Sequence, residues 1–156
     1  MNQILLLTLL PFFIMAHIQA GDDKNEPDCP GKDISLNQFQ WENRIIVMFA
    51  KHSKSESYQR QMNEFAFHSE ELRDRDLVLI SVFEGECATL ENEIISDESA
   101  NSIRSRLSPP DNSYSIFLIG KDGGVKLKQD EFLATDELFR VIDRMPMRQR
   151  EMRDGG

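Results

Sequence analysis

The sequence predicts an α/β domain with a four-stranded mixed sheet in the order β-α-β-α-β-β-α, flanked by helices. Two stretches, Arg44–Ala50 and Leu77–Phe83, are almost continuously apolar and rich in β-branched residues, which is typical of strands buried on both faces. The stretch between them has apolar residues at spacings of three and four, which indicates a helix. Two buried strands joined by a helix predict a right-handed βαβ unit with parallel strands.

The chain begins with an apolar segment that differs from the rest. Ile4–Leu10 and Phe12–Ile18 carry no acidic or basic side chain, and Ile18-Gln19-Ala20 precedes a polar stretch. This pattern predicts a signal peptide over residues 1–20 and a periplasmic or secreted protein that has no stable membrane insertion after cleavage. No Lys or Arg precedes the apolar core, so an uncleaved membrane anchor remains the alternative.

Length and charge restrict the remaining chain. The 156 residues carry 27 acidic against 18 basic side chains, a formal net charge of −9. This balance argues against nucleic acid as a partner, because neutralising phosphates requires a basic face. Polar composition predicts a linker over 21–35, followed by one domain over 36–147 and a flexible tail over 148–156. Within the linker and its junction, Asp33–Phe39 reads as a short edge strand or a turn.

Helix signals follow the first strand. Ser53 with Glu56 three residues later forms a capping-box pattern that predicts a helix start, and the apolar positions from Tyr58 to Leu72 share one face. A shorter helix is predicted over Asp97–Leu107, whereas the residues between the second strand and this helix have no clear assignment.

The C-terminal part has hairpin and helix signals. Tyr114–Ile119 is predicted as the third strand, and Asp-Gly in the turn Lys121–Gly124 predicts a return as an edge strand over Val125–Lys128. Thr135 is predicted to cap a last helix, which Pro146 ends.

Four separated motifs suggest a known family. They are Trp41-Glu-Asn-Arg44, Arg75-Asp-Leu77, the hairpin segment Leu118–Leu127 and Ile142-Asp-Arg-Met-Pro-Met-Arg148. In this order the chain resembles the family of domain of unknown function 4174, a thioredoxin- and peroxiredoxin-like family of exported bacterial proteins related to domains of animal extracellular proteins with sushi repeats. The resemblance covers about Leu36 to Arg150 and implies a thioredoxin-like fold.

The loop after the first strand is the expected place for chemistry. A thioredoxin places Cys-x-x-Cys there, where the helix start lowers the thiol pKa. In this chain the loop Lys51-His-Ser-Lys-Ser-Glu-Ser57 contains no cysteine, so dithiol exchange is not expected at this position. Lys51, His52, Ser53 and Lys54 could together bind an anion at the helix start, and a solvated cap with incidental charges is the alternative.

Two cysteines, Cys29 and Cys87, provide the remaining redox candidates. An even pair in an oxidising compartment predicts a disulfide, although spacing alone does not show that the two meet. Glu84, Glu86 and Glu91 are expected to raise the pKa of a Cys87 thiol, which argues against a reactive thiolate.

Two functions from different classes follow. The first is a non-catalytic binding module for an unknown protein or a small anionic ligand. The second is a thiol-disulfide or peroxide oxidoreductase that uses Cys87 with Cys29. No cofactor is expected, and His68 alone does not suggest a metal site.

Overall fold

The computed structural model describes residues 28–111 and 114–155. They form a mixed six-stranded sheet with helices packed against both of its faces. The strands lie in the spatial order β4-β3-β2-β1-β5-β6. Their bounds are β1 Arg44–Ala50, β2 Leu77–Phe83, β3 Thr89–Leu90, β4 Glu93–Ile94, β5 Ser115–Ile119 and β6 Val125–Gln129. The helices are α1 Glu56–Phe67, α2 Ser69–Asp74, α3 Asp97–Leu107, α4 Thr135–Asp143 and α5 Pro146–Asp154.

Strand β1 lies in the middle of the sheet, as its continuous apolar sequence predicts. It pairs in parallel with β2 and antiparallel with β5, and all seven of its residues are buried. Its side chains alternate between the two cores, because successive residues of a strand point to opposite faces. Val47 and Phe49 face the core beneath α3, while Ile46 and Met48 face the core beneath α1, α2 and α4. The predicted βαβ unit and mixed sheet are confirmed.

The sheet has two more strands than the sequence predicts. β3 and β4 are only two residues long, and they pair with each other and with the edge of β2. Such short strands leave no periodic pattern in a sequence. Glu91 and Asn92, which connect them, both have positive φ, as a tight turn requires.

The β5–β6 hairpin agrees with its turn sequence. Gly123 has φ +81°, a conformation that glycine adopts without strain, and β6 forms the edge of the sheet. The N-terminal flank differs from both alternatives in its prediction, because Leu36–Phe39 form a 3-10 helix that Ser35 caps through a complete capping box.

Two predicted helix caps are wrong. Ser55, not Ser53, precedes α1, and no side chain caps this helix start. Ala134 precedes α4, and the Thr135 hydroxyl instead donates a hydrogen bond to Glu64 Oε1 at 2.7 Å. In both places a tertiary contact uses the polar group that the local pattern assigns to the cap.

The predicted flexible tail over 148–156 is replaced through Asp154 by helix α5. Pro146 occupies the first helical position, where its missing N–H costs nothing, so it begins this helix after α4 has ended. Arg148 is buried and donates hydrogen bonds to Asp74. Glu151 accepts two hydrogen bonds from the buried Arg44. Ion pairs attach α5 to the domain, and residues that form ion pairs leave no periodic apolar pattern in the sequence.

The described part of the predicted linker is also packed. Ile34 is buried and its N–H donates to Ser99 Oγ at 2.8 Å, while Lys32 forms a bridge with Ile95. The predicted signal peptide over 1–20 lies outside the described residues. Among the residues that are described, no helix has the length and apolar character needed to cross a membrane.

Candidate functional site

The loop between β1 and α1 lies at the carboxyl end of the central strand, where open α/β sheets usually place their working groups. Lys51, His52 and Lys54 are exposed at this loop. Two hydrogen bonds close it: Ser55 N–H and Ser55 Oγ both donate to the backbone oxygen of His52, at 3.0 and 2.8 Å. Because the Ser55 hydroxyl is directed to a backbone carbonyl, it forms no serine–histidine pair with the imidazole.

A carboxylate of the protein itself lies at this helix entrance. Ser53 N–H donates a hydrogen bond to Glu86 Oε2 at 3.0 Å. The hydrogen bonds from Ser53 hold the pKa of Glu86 below its usual value of 4.5, against an opposing effect of burial, and the nearby His52 and Lys54 lower this pKa further. The loop therefore has the electrostatic character of an anion site, and Glu86 occupies one of its donors.

The residue after Glu86 is Cys87, which forms a disulfide with Cys29 across a Cα–Cα distance of 5.5 Å. The Cys29 residue is 3% exposed, and its N–H donates to Asp97 Oδ2 at 3.2 Å. Cys87 is half-buried, so it is the more accessible of the two. The disulfide attaches the segment before the 3-10 helix to the loop that follows β2.

A small cavity of about 170 Å³ borders the same loop. Glu84, Glu86 and Asp97 contribute carboxylates to its lining, together with Arg104. The Arg104 Nη2 donates to the backbone oxygen of Phe83 at 3.0 Å.

The histidines in the part of the chain that the structure describes do not form a metal centre. His68 lies between α1 and α2, with its ring nitrogens 3.9 Å from Glu64 and 3.6 Å from Glu71. His52 lies on the exposed loop. Among residues 28–111 and 114–155, no three His, Cys, Asp or Glu side chains are grouped so as to hold a metal ion.

The structure thus brings together part of the predicted site. Ser53 donates a hydrogen bond to Glu86, and His52 and Lys54 lie close enough to lower the pKa of that carboxylate. Cys87 follows Glu86 directly in the chain. Sequence reasoning missed Glu86 as a partner of the loop, and it missed Asp97 and Arg104. The available signal was the position of Glu86 just beyond β2, because parallel strands bring the residues after their carboxyl ends to one edge.

Comparison with solved structures agrees with the fold. The reduced 2-Cys peroxiredoxin of Plasmodium vivax aligns with a TM-score of 0.55 and 13% identity over 75% of this chain and 85% of that chain. Thioredoxin peroxidase I of Plasmodium yoelii aligns with a TM-score of 0.54 and 16% identity over 75% of this chain and 80% of that chain. At these identities the similarity shows a thioredoxin-like fold alone.

Comparison with protein families gives a match that covers most of the chain. No curated protein matches this sequence. Residues 35–151 match the family described as Domain of unknown function (DUF4174), over nearly the same range as the resemblance of the four motifs. Since the match exceeds half of the sequence, the chain belongs to the DUF4174 family, and its thioredoxin-like fold carries its two cysteines as a disulfide outside the sulfur-free loop at the helix entrance.

Proposed function

We propose that this protein is a non-catalytic, thioredoxin-fold binding module that acts outside the cytoplasm, in the periplasm or after secretion. The observation that carries the proposal is the sulfur-free loop Lys51–Ser55, whose helix-entrance N–H holds Glu86 where a thioredoxin holds a reactive thiol. The apolar segment over 1–20 and the disulfide both favour export, since disulfides persist in oxidising compartments.

The binding surface of this proposal is the loop formed by Lys51, His52, Ser53 and Lys54. The three exposed basic side chains favour an acidic partner, either a protein segment or a small anion. Such a partner competes with Glu86 for the Ser53 N–H, so Glu86 would act as an internal substitute for the anion. A carboxylate or phosphate of the partner must therefore displace Glu86, and this competition weakens the affinity of the loop for the partner.

Inorganic phosphate tests the loop directly. We expect Glu86→Gln to strengthen phosphate binding by roughly threefold to tenfold, because it removes a competing charge from the helix entrance. The amide NMR signals of Ser53 and Lys54 should shift during the titration. Glu84→Gln, at an exposed residue of the same loop, is the matched control and should bind phosphate like the unmodified protein. Equal phosphate affinity in Glu86→Gln and Glu84→Gln would refute the role of the loop.

The second candidate is a thiol oxidoreductase, and the half-buried Cys87 beside the loop is the observation that favours it. In this reaction a substrate thiolate attacks Cys87 Sγ, forms a mixed disulfide and releases the Cys29 thiolate. A second substrate thiolate then attacks the sulfur of the first and releases Cys87. The substrate dithiol is oxidised, the protein disulfide is reduced, and the two substrate protons pass to the cysteines.

One assay separates the two candidates. We expect the disulfide-intact protein to show no turnover with a dithiol substrate, and its dithiothreitol-reduced form to show none with hydrogen peroxide, beyond the rate of Cys87→Ser. Turnover that disappears in Cys87→Ser and persists in Ser57→Ala, an exposed position in the first turn of α1, would replace the binding module by the oxidoreductase.

A further inference from the structure

A second cavity lies at the opposite end of β1 from the Lys51–Ser55 loop. It has a volume of about 340 Å³ and lies between the β5–β6 turn, the end of α4 and the start of α5. Arg44, the first residue of β1, contributes to its lining, whereas the Lys51–Ser55 loop follows the last residue of that strand. The volume falls at the lower end of the range of small-molecule sites, about 300–1,000 Å³.

The cavity combines apolar walls with basic groups. Val141, Met145, Pro146 and Met147 supply the apolar surface. The charged residues of the lining are four basic side chains against one acidic side chain. They are Arg44, Lys121, Lys126, Arg144 and Asp122. In a chain with a formal net charge of −9, this concentration of positive charge is contrary to the overall composition.

Neighbouring carboxylates neutralise part of this charge. Glu151 accepts hydrogen bonds from Arg44 and lies 2.8 Å from Lys121 Nζ, which also contacts Asp76 at 2.7 Å. Lys126 Nζ lies 2.6 Å from Asp122 Oδ2. Arg144, by contrast, is exposed and has no ion pair with any residue that the structure describes. Its guanidinium therefore remains available to an anion at the mouth of the cavity.

Two further features favour an anion at this cavity. Arg44 is 1% exposed, and its Nε has no hydrogen-bond acceptor within the described part of the chain, although its other nitrogens are paired. Helix α5 begins at the cavity wall with Pro146 and Met147, and no side chain caps this helix start. The N-terminal end of a helix carries a partial positive charge and favours an anion.

From these observations we propose that the cavity binds a small organic carboxylate, with its apolar body against Val141 and Met147 and its carboxylate near Arg144 and the start of α5. A purely inorganic anion would leave the apolar walls in contact with water, and a neutral apolar molecule would gain no attraction from Arg144 or from the start of α5. This site is separate from the Lys51–Ser55 loop, and it does not depend on whether that loop binds a partner or Cys87 reacts.

Octanoate and its neutral isostere octanamide test the proposal on the disulfide-intact protein. We expect octanoate to shift the amide NMR signals of Gly120, Val141 and Met147 in a saturable manner, and octanamide to bind about tenfold more weakly. Arg144→Gln with Lys126→Gln should weaken octanoate binding by about tenfold and leave octanamide binding unchanged.

Arg140→Gln provides the matched control. Arg140 is an exposed arginine one turn before Arg144 on α4, outside the lining of the cavity, so its removal should leave octanoate affinity unchanged. The proposal is overturned if octanoate shows no saturable binding at millimolar concentration, if acid and amide bind equally, or if the shifts map to another surface. An equal loss of octanoate affinity in Arg140→Gln would also overturn the proposal, because it would attribute the binding to general electrostatic attraction.

Discussion

Gln61 lies fully buried on α1 and acts as a backbone partner for Leu133. Its Nε2 donates to the backbone oxygen of Leu133 at 2.8 Å, and its Oε1 accepts from Leu133 N–H at 2.8 Å. We expect Gln61→Met to lower the free energy of unfolding by about 3 kcal/mol, because both backbone groups of a buried residue lose their partner. Urea denaturation measures this loss.

Asn63→Met is the control for Gln61, since Asn63 is exposed on the same helix and the substitution leaves the backbone contacts of Leu133 intact. We expect it to change the free energy of unfolding by less than about 0.5 kcal/mol. A loss in Gln61→Met no larger than this would show that water replaces the lost partners, and that the segment around Leu133 is not held by this side chain.

Gln61 is an example of a side-chain contact that the sequence alone does not predict. The helical pattern of α1 predicts which residues face the core, yet it gives no reason for a glutamine among them. Gln61 meets Leu133 across 72 residues and Ser53 meets Glu86 across 33. Contacts of this kind depend on tertiary placement, so the partner of the Lys51–Ser55 loop could not be predicted from the residues of the loop.

Charged side chains attach helix α5 to the rest of the domain. Burial raises the pKa of Glu151, but hydrogen bonds from Lys121 and Arg44 lower it more, so this pKa lies below its usual value of 4.5. A carboxyl whose pKa is lower in the folded state contributes stability above its unfolded pKa, and this contribution is lost as the pH falls through the folded value. Helix α5 should therefore detach progressively below about pH 4.5.

Hydrogen exchange on α5 tests this pH dependence. We expect its amide protection, corrected for the intrinsic exchange rate, to fall as the pH is lowered from about 5 to about 3 in the unmodified protein. Glu151→Gln should already show the reduced protection at pH 6. Asp154→Asn, at an exposed position of the same helix without an ion pair among the described residues, should retain the original pH dependence. If the difference in amide protection between the unmodified protein and Glu151→Gln does not depend on pH, packing and not the charge of Glu151 attaches α5.

The way α5 is attached also explains why the sequence predicts a flexible tail there, while it predicts β1 and β2 correctly. β1 and β2 are buried on both faces or nearly so, and burial selects apolar residues at almost every position, which makes these strands recognisable in the sequence. Helix α5 has one buried residue, Arg148, and its other attachments are ionic. Without an apolar stripe, its sequence resembles that of a solvated tail.

For the whole molecule, the Cys29–Cys87 disulfide joins residues 58 positions apart and so restricts the unfolded chain. A loop of this length is worth about 4 kcal/mol in the chain-entropy account of cross-links. We expect Cys29→Ala with Cys87→Ala to lower the free energy of unfolding by about this amount, with a larger denaturant dependence because the unfolded chain expands. Urea denaturation of the unmodified protein with reductant should give the same loss. If either form loses less than about 1 kcal/mol, the bond is dispensable for stability, and its retention would favour the redox role of Cys87.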